Sequence, residues 1–417
     1  MKVLWISKGL YPDVCKMLGI ETTFSGGWQF SAASNLNSII NNLQLAIASP
    51  YQGHDLKTIV SNGITYFLIP NSRFKDVNNY KLESYWKDIQ NRFQPDLVHI
   101  HGTEYQFLST YVNVFGNKNV VVSIQGLVSV YSRYYFGGIN KNKLRNNITL
   151  RDVIRRDSIF KQKKEFEKRG KIERIMIQSV SHIIGRTLWD KAHSWSINHH
   201  ANYHFCNETL RDEFYQHTWK LSDCEKYSIF LSQGDYPIKG IQQLIKALPI
   251  VLRHFPDTKI YVAGRNFVTN RGWRLNGFGK YIRSLMKENG VSDHIIFTGI
   301  LHEKEMCKRY LASHVFVCPS SIENSPNSVG EAQLLGIPCV AAYVGGIPEM
   351  VTDNETGLLY RYEEIEMLAG AICQLFSNDQ LAEHLSKQGK MAAKIRHDKF
   401  INSNNLYSIY DSICKNS

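Results

Sequence analysis

Two carboxylates eight positions apart, Glu323 and Glu331, stand in the middle of FVCPSSIENSPNSVGEAQLLGIPCVAA (316–342). The apolar run before them ends at Cys318, a polar loop follows, and a helix is expected from near Ser328. The first N–H groups of a helix have no intrahelical partner and carry partial positive charge, which suits a phosphate. A carboxylate on the helix's first turn, where Glu331 is expected, can accept hydrogen bonds from vicinal hydroxyls such as those of a ribose, and Glu323 on the loop can face a sugar. The same residue types have a plainer reading, a solvated loop acid and a first-turn acid opposing the helix dipole. Residue types alone leave the two readings even.

Positioning such groups takes strands that end in loops and helices. Short β-branched apolar runs alternate with amphipathic stretches along the chain, the signature of βαβ units. Strands are expected near 2–7, 43–48, 64–69, 96–101, 119–124, 182–186 and 202–206, then near 227–232, 259–264, 294–298, 314–318 and 338–342. IYVAG (260–264) and VFVC (315–318) are apolar on both faces, as in strands covered by helices on both sides. Helices are expected near 240–254, where Ile241, Leu244, Ile245 and Leu248 form one stripe, and near 303–313, 328–336, 364–376, 379–397 and 404–414. A polar stretch at 207–226 separates the two strand series. The expected fold class is α/β, two tandem doubly wound parallel-sheet (Rossmann-like) domains with a cleft between them. Their expected bounds are 1–215 and 216–400, with 401–417 a last helix crossing back to the first domain.

The 417 residues suffice for two domains, and 43% hydrophobic with 12% aromatic content fits a folded core. No apolar run nears the roughly 18 residues of a spanning helix. The amino terminus MKVLWIS is not expected to act as a signal peptide, and the eight cysteines show no metal or redox spacing. These features argue against a membrane-spanning, disulfide-scaffold or zinc-finger class and for a cytoplasmic protein. The balance of 49 Lys+Arg against 37 Asp+Glu, +12, favours anionic partners. Thirteen basic and five acidic residues lie within 141–174, so +8 of that charge sits in one helical insertion after the aromatic loop YSRYYFGG (131–138).

ENSPNSVGE, followed by a helix, GIP, a strand and VGGIPEMV, resembles the donor site of the family 4 retaining glycosyltransferases, which have the GT-B fold. SGGW (25–28) resembles that family's first glycine-rich loop, and PDLVHIHG (95–102) its central strand. FLSQGDYPIKG (230–240) resembles the opening of the second domain with its phosphate-binding lysine, and VGGIPEMVTDNETGLLY (344–360) the stretch after the donor helix. The resemblance spans essentially the whole chain. It implies transfer from a nucleotide sugar, a substrate rather than a cofactor, with retention at the anomeric carbon and no required metal. It assigns Glu331 to the ribose, Glu323 to the donor sugar and the backbone at Asn327 and Ser328 to the diphosphate. Lys239 would neutralise the departing nucleoside diphosphate. Gly26 and Gly27 would let the first loop approach the phosphates without an obstructing Cβ, although taken alone such glycines are turn residues.

Some positions depart from the family. In place of its Gly-Arg pair shortly before the lysine stand Gln233 and Gly234; Arg265, after IYVAG, is either a substitute phosphate ligand or a surface residue. Gln125 replaces a frequent histidine on the acceptor side and can hydrogen-bond a hydroxyl but not act as a base. His101 and Glu104, in HIHGTEY, stand at the carboxyl end of the preceding strand, the edge where open α/β sheets bind ligands. They are candidates to orient or deprotonate an acceptor hydroxyl, while His99 reads as a core histidine. Arg186, in IIGRTLWD, is expected at another strand end, facing the cleft. HHANYH (199–204) reads as a loop, not a metal site.

The expected function is a glycosyltransferase acting on a glycan or lipid-linked acceptor in surface polysaccharide or glycoconjugate biosynthesis. One rival keeps the fold and binds nucleotide sugars without catalysis, motivated by Gln125 and Gly234. Another is a basic nucleic-acid-binding protein, for which neither a binding module nor interleaved stacking aromatics is present. The basic segment and aromatic loop, 131–174, are expected to attach reversibly to the anionic inner face of the cytoplasmic membrane.

Overall fold

The computed structural model describes residues 1–21, 27–70, 79–269 and 272–416. The chain forms two compact units. Residues 1–129, 168–211 and 397–417 make the first, and residues 130–167 with 212–396 make the second.

The first unit is built on an eight-stranded sheet ordered β3-β4-β2-β1-β5-β6-β7-β8. Its strands are β1 (Lys2–Ile6), β2 (Gln44–Tyr51), β3 (Lys57–Ser61), β4 (Ile64–Pro70), β5 (Leu97–His101), β6 (Val120–Ser123), β7 (His182–Gly185) and β8 (Asn202–Phe205). Among the described residues only the β3–β4 pair of this sheet is antiparallel. The chain leaves β1 for β2 on one side and returns to β5 on the other, so the strand order reverses at β1. Val3, Leu4, Trp5 and Ile6 are fully buried, as expected of a central strand with helices on both faces.

The carboxyl-terminal helix Lys399–Lys415 packs on this unit. Trp5 Nε1 donates to the Tyr410 hydroxyl (3.0 Å), which lies 2.5 Å from His99 Nδ1, and His99 Nε2 lies 2.5 Å from Ser123 Oγ. With the Tyr410 oxygen already accepting from Trp5, its proton points to Nδ1, and Nε2–H is left to donate to Ser123. Burial first, and His101 second, hold His99 well below the usual imidazole range. It is a satisfied core histidine.

The second unit has an all-parallel six-stranded sheet ordered β11-β10-β9-β12-β13-β14. The strands are β9 (Glu225–Leu231), β10 (Lys259–Ala263), β11 (Ile295–Gly299), β12 (Ser313–Cys318), β13 (Cys339–Ala342) and β14 (Leu358–Tyr360). Here the order reverses between β9 and β12, the position at which open α/β sheets take ligands beyond their carboxyl ends. All twelve expected strands form, and β3 and β14 are additional.

One assignment changes. The aromatic loop and the first part of the basic insertion belong to the second unit, not to the amino-terminal domain. The Gly137 carbonyl accepts from Gln242 Nε2 (2.9 Å) and from the Tyr362 hydroxyl (2.7 Å). Tyr135 is buried against Phe166 and bonded to Gln162. Tyr131 and Tyr135 are thus held within the protein and not free to seat in a headgroup layer as expected from the sequence, whereas Tyr134 is exposed.

Candidate active site

Lys239 and Glu323 leave the carboxyl ends of β9 and β12, the two strands that flank the reversal in the second sheet. Lys239 ends a short 3₁₀ turn, Pro237–Lys239, after β9, and its Nζ lies 2.6 Å from Glu323 Oε1. The same carboxylate oxygen accepts from Ser320 Oγ at 2.8 Å, and Glu323 is only 6% exposed. Burial opposes the charge on Lys239, but Glu323 and then the Tyr236 phenol outweigh it and hold the ammonium well above its usual range. The site therefore carries a fixed cation.

Two glycines let the backbone close around this pair. Gly240 follows Lys239 with φ +75°, and a Cβ there would stand 1.6 Å from the Pro319 carbonyl oxygen. Gly345 has φ +55°, and a Cβ there would stand 1.8 Å from the Glu323 carbonyl oxygen, which accepts from Gly346 N–H at 3.1 Å. VGG at 344–346 thus clasps the loop that carries Glu323.

Tyr131, from the inserted segment, completes the surroundings. Its hydroxyl accepts from Asn324 N–H at 2.8 Å, and burial, then Glu323, raise its pKa well above the usual phenol value. Sequence reasoning placed Tyr131 at a membrane; nothing local in YSRYYFGG marks it as a neighbour of residue 324.

Next in the chain is the helix Asn327–Leu335, preceded by Pro326. Val329 and Gly330 donate to the Pro326 carbonyl (3.0 and 3.3 Å), so the N–H groups of Asn327 and Ser328 come before the first helical bonds and carry the helix's positive end. Glu331 is the fifth helical residue, not a first-turn acid as expected, because the helix begins at Asn327. It is 6% exposed, a depth at which a carboxylate has to be paired.

Gly234 presses against Val262 and Ile241: a Cβ added there would lie only 2.9 Å from Val262 Cγ1, so any side chain at this position would force a neighbour to shift. Arg265 is exposed just after β10, and a Cβ on its neighbour Gly264 would lie 3.9 Å from Gln233 Cγ. The backbone just before Arg265 therefore runs beside Gln233.

The remaining expected residues lie in the first unit. Gly26 falls outside the described residues, and Gly27 opens the helix Gly27–Ile39, packed against the Arg211 side chain. His101 ends β5 beside a cavity of about 50 Å³ bordered also by Trp5, Trp28, Arg186, Glu208 and Asn402. It is 5% exposed, and neither ring nitrogen has a hydrogen-bond partner among the described residues. Burial, and then the Arg186 charge, push its pKa down to about 3, so it is a neutral ring able to accept or donate one hydrogen bond but a weak base. Arg186 is buried and committed to the first unit, paired with Glu208 and donating to the Ile124 carbonyl (3.0 Å) and the Gln125 carbonyl (3.3 Å). The Gln125 carboxamide nitrogen is buried without a partner among the described residues. Glu104 accepts from the Thr103 N–H at 3.2 Å.

Glu173 was legible only as one acid in a basic segment. It is fully buried, and burial first pushes its pKa up to about 7. Its oxygens accept from Val128 N–H (2.8 Å), Ser129 N–H (3.0 Å), the Ser129 hydroxyl and the Thr103 hydroxyl. With four donors already spent on it, Glu173 holds loops together.

Two doubly wound α/β units define the GT-B fold of glycosyltransferases. Sucrose-phosphate synthase from Thermosynechococcus elongatus shares this fold over 100% of both chains, with a TM-score of 0.71 at 15% identity. Residues 213–392, which hold Lys239, Arg265, Glu323 and Glu331, match the family described as glycosyl transferases group 1. Spore coat protein SA of Bacillus subtilis is 27% identical over 177 residues, 42% of this chain and 46% of that protein. The GDP-mannose-dependent alpha-(1-6)-phosphatidylinositol monomannoside mannosyltransferase of Mycolicibacterium smegmatis is 27% identical over 164 residues, 37% of this chain and 40% of that protein. The chain thus matches less than half the length of either relative.

Proposed function

We propose that this chain is a family 4 retaining glycosyltransferase that moves a sugar from a nucleotide-sugar donor to a glycan or lipid-linked acceptor, in the assembly of a surface polysaccharide or glycoconjugate. The observation that carries the reading is the Lys239–Glu323 pair, 2.6 Å across, with Glu323 buried and Lys239 half-buried, just before the helix Asn327–Leu335. Cation and anion so close fit the two sides of a sugar–phosphate linkage. Glu323 takes a donor-sugar hydroxyl, and Lys239 with the N–H groups of Asn327 and Ser328 takes the diphosphate. Negative charge grows on the diphosphate as the glycosidic bond breaks, and a cation already fixed in a dry site stabilises it with little reorganisation. Glu331 holds the ribose, and Arg265 replaces the absent arginine. In the first unit, His101 and Gln125 have unspent hydrogen-bonding capacity for an acceptor hydroxyl.

The test is turnover. A panel of nucleotide sugars is screened for protection against thermal unfolding, and the protecting donor is used in transfer assays. Lys239→Ala is expected to lower kcat by about two to three orders of magnitude with a smaller change in the donor's KM. Protection without turnover by the parent chain would leave a nucleotide-sugar-binding protein that does not catalyse.

A further inference from the structure

Away from this site, one short helix of the second unit is docked with its apolar face outward. Leu150, Val153 and Ile154 of the helix Leu150–Arg155 are spaced i, i+3, i+4 and share a face. They are 75%, 63% and 73% exposed. The side turned inward is polar: Asp152, 2% exposed, accepts from Gly277 N–H at 2.8 Å and Thr149 N–H at 3.1 Å, and Arg151 pairs with it at 3.2 Å. A surface helix normally buries its apolar stripe and wets its charged one. Ile148, two residues before the helix, is also exposed. In the same stretch Lys141, Lys143 and Arg145, on the preceding helix Lys141–Asn146, and Arg155 and Arg156, at the end of this one, are exposed as well.

We propose that residues 141–156 are a docking surface for an anionic phospholipid bilayer, with Leu150, Val153 and Ile154 entering the headgroup layer and the cations of the same stretch meeting lipid phosphates. Exposed apolar side chains in a stretch rich in exposed lysine and arginine match that surface in both respects. A second copy of the chain would bring the same positive face against itself, and like charges brought together oppose contact. A nucleic acid would find aliphatic side chains where stacking aromatics are needed. The surface lies outside the donor site and stands whether or not the transferase reading holds, since its test reads no turnover.

The test is co-sedimentation of the full chain with vesicles. The parent is expected to pellet with phosphatidylglycerol vesicles at low salt, to stay in solution with phosphatidylcholine vesicles, and to be released at 1 M salt, where the Debye length is about 3 Å. Leu150→Ser, Val153→Ser and Ile154→Ser combined should weaken partitioning by about tenfold or more. Lys141→Glu, Lys143→Glu and Arg155→Glu combined should weaken it by about a hundredfold. Both variants should melt with the parent, because every replaced side chain is exposed. Equal pelleting of the parent and the serine variant, or a parent that stays in solution with phosphatidylglycerol, overturns the proposal. So does a lipid-independent dimer of the parent that the serine variant loses, since that assigns the face to a second copy.

Discussion

Lys239 and Glu323 stabilise each other in the absence of any ligand. The ammonium compensates the buried carboxylate, and the carboxylate keeps the half-buried ammonium charged. Glu323→Gln keeps the shape of the side chain and removes the charge. Transfer should fall steeply, while nucleotide binding, carried by the helix end and Glu331, survives. Glu331→Ala should do the reverse and weaken nucleoside diphosphate binding by about 1.5–3 kcal/mol, the value of hydrogen bonds to a charged acceptor. Calorimetric titration with the nucleoside diphosphate and a transfer assay separate the two effects. If both variants transfer sugar at the parental rate, the donor-site assignment is wrong. Glu323 was legible in the sequence because strand end, loop and helix start lie within one local stretch. Tyr131 was not, because its partner Asn324 is 193 positions away.

At the scale of elements, the loops after β9, β12 and β13 hold the site by touching backbone to backbone. Gly345→Ala would put a Cβ into the Glu323 carbonyl at a left-handed φ. A loss of about 1–3 kcal/mol of stability is expected, together with reduced transfer as the Glu323 loop is displaced. Gly370→Ala is the control: in the helix Ile365–Ser377, with nothing within 4 Å of the added Cβ, it should be neutral or slightly stabilising. Thermal unfolding of the two variants makes the comparison. The β3–β4 hairpin went unread in the sequence although its signal was there. Asn62 and Gly63, both at positive φ, form its turn, and Asn-Gly is the residue pair that such turns favour.

For the whole molecule, three buried neutral histidines make folding acid-sensitive. His99 and His101 are shifted down chiefly by burial, His101 to about 3, and His314, likewise buried, to about 4. Their unfolded values lie near 6.5, so below that pH the unfolded chain takes up protons that the folded chain refuses. The histidines' contribution is therefore full above pH ~6.5 and falls as the pH drops, by about 1.4 kcal/mol per pH unit for each. Glu173 opposes this trend. Its folded value of about 7 lies above its unfolded one, so its own contribution improves as the pH falls from about 7 toward 4.5. The three histidines outweigh one carboxyl, and melting temperature should decline from pH 7 to pH 5. An unchanged melting temperature across that range would contradict the buried neutral rings.

The sequence by itself determined the two strand series and the loop that carries Glu323. A strand covered on both faces is apolar at every position, and a strand–loop–helix unit is written within some thirty consecutive residues. Tertiary structure decided what depends on distant partners. The aromatic loop reads as an interfacial anchor until Gln242 and Tyr362 bond its Gly137 carbonyl. The helix at 150–155 turns Asp152 inward, where it accepts from Gly277, 125 positions away, and leaves Leu150 and Val153 exposed. A pattern of residue types records which faces differ, whereas burial goes to the face whose polar groups find partners, and those partners are brought in only when the chain folds.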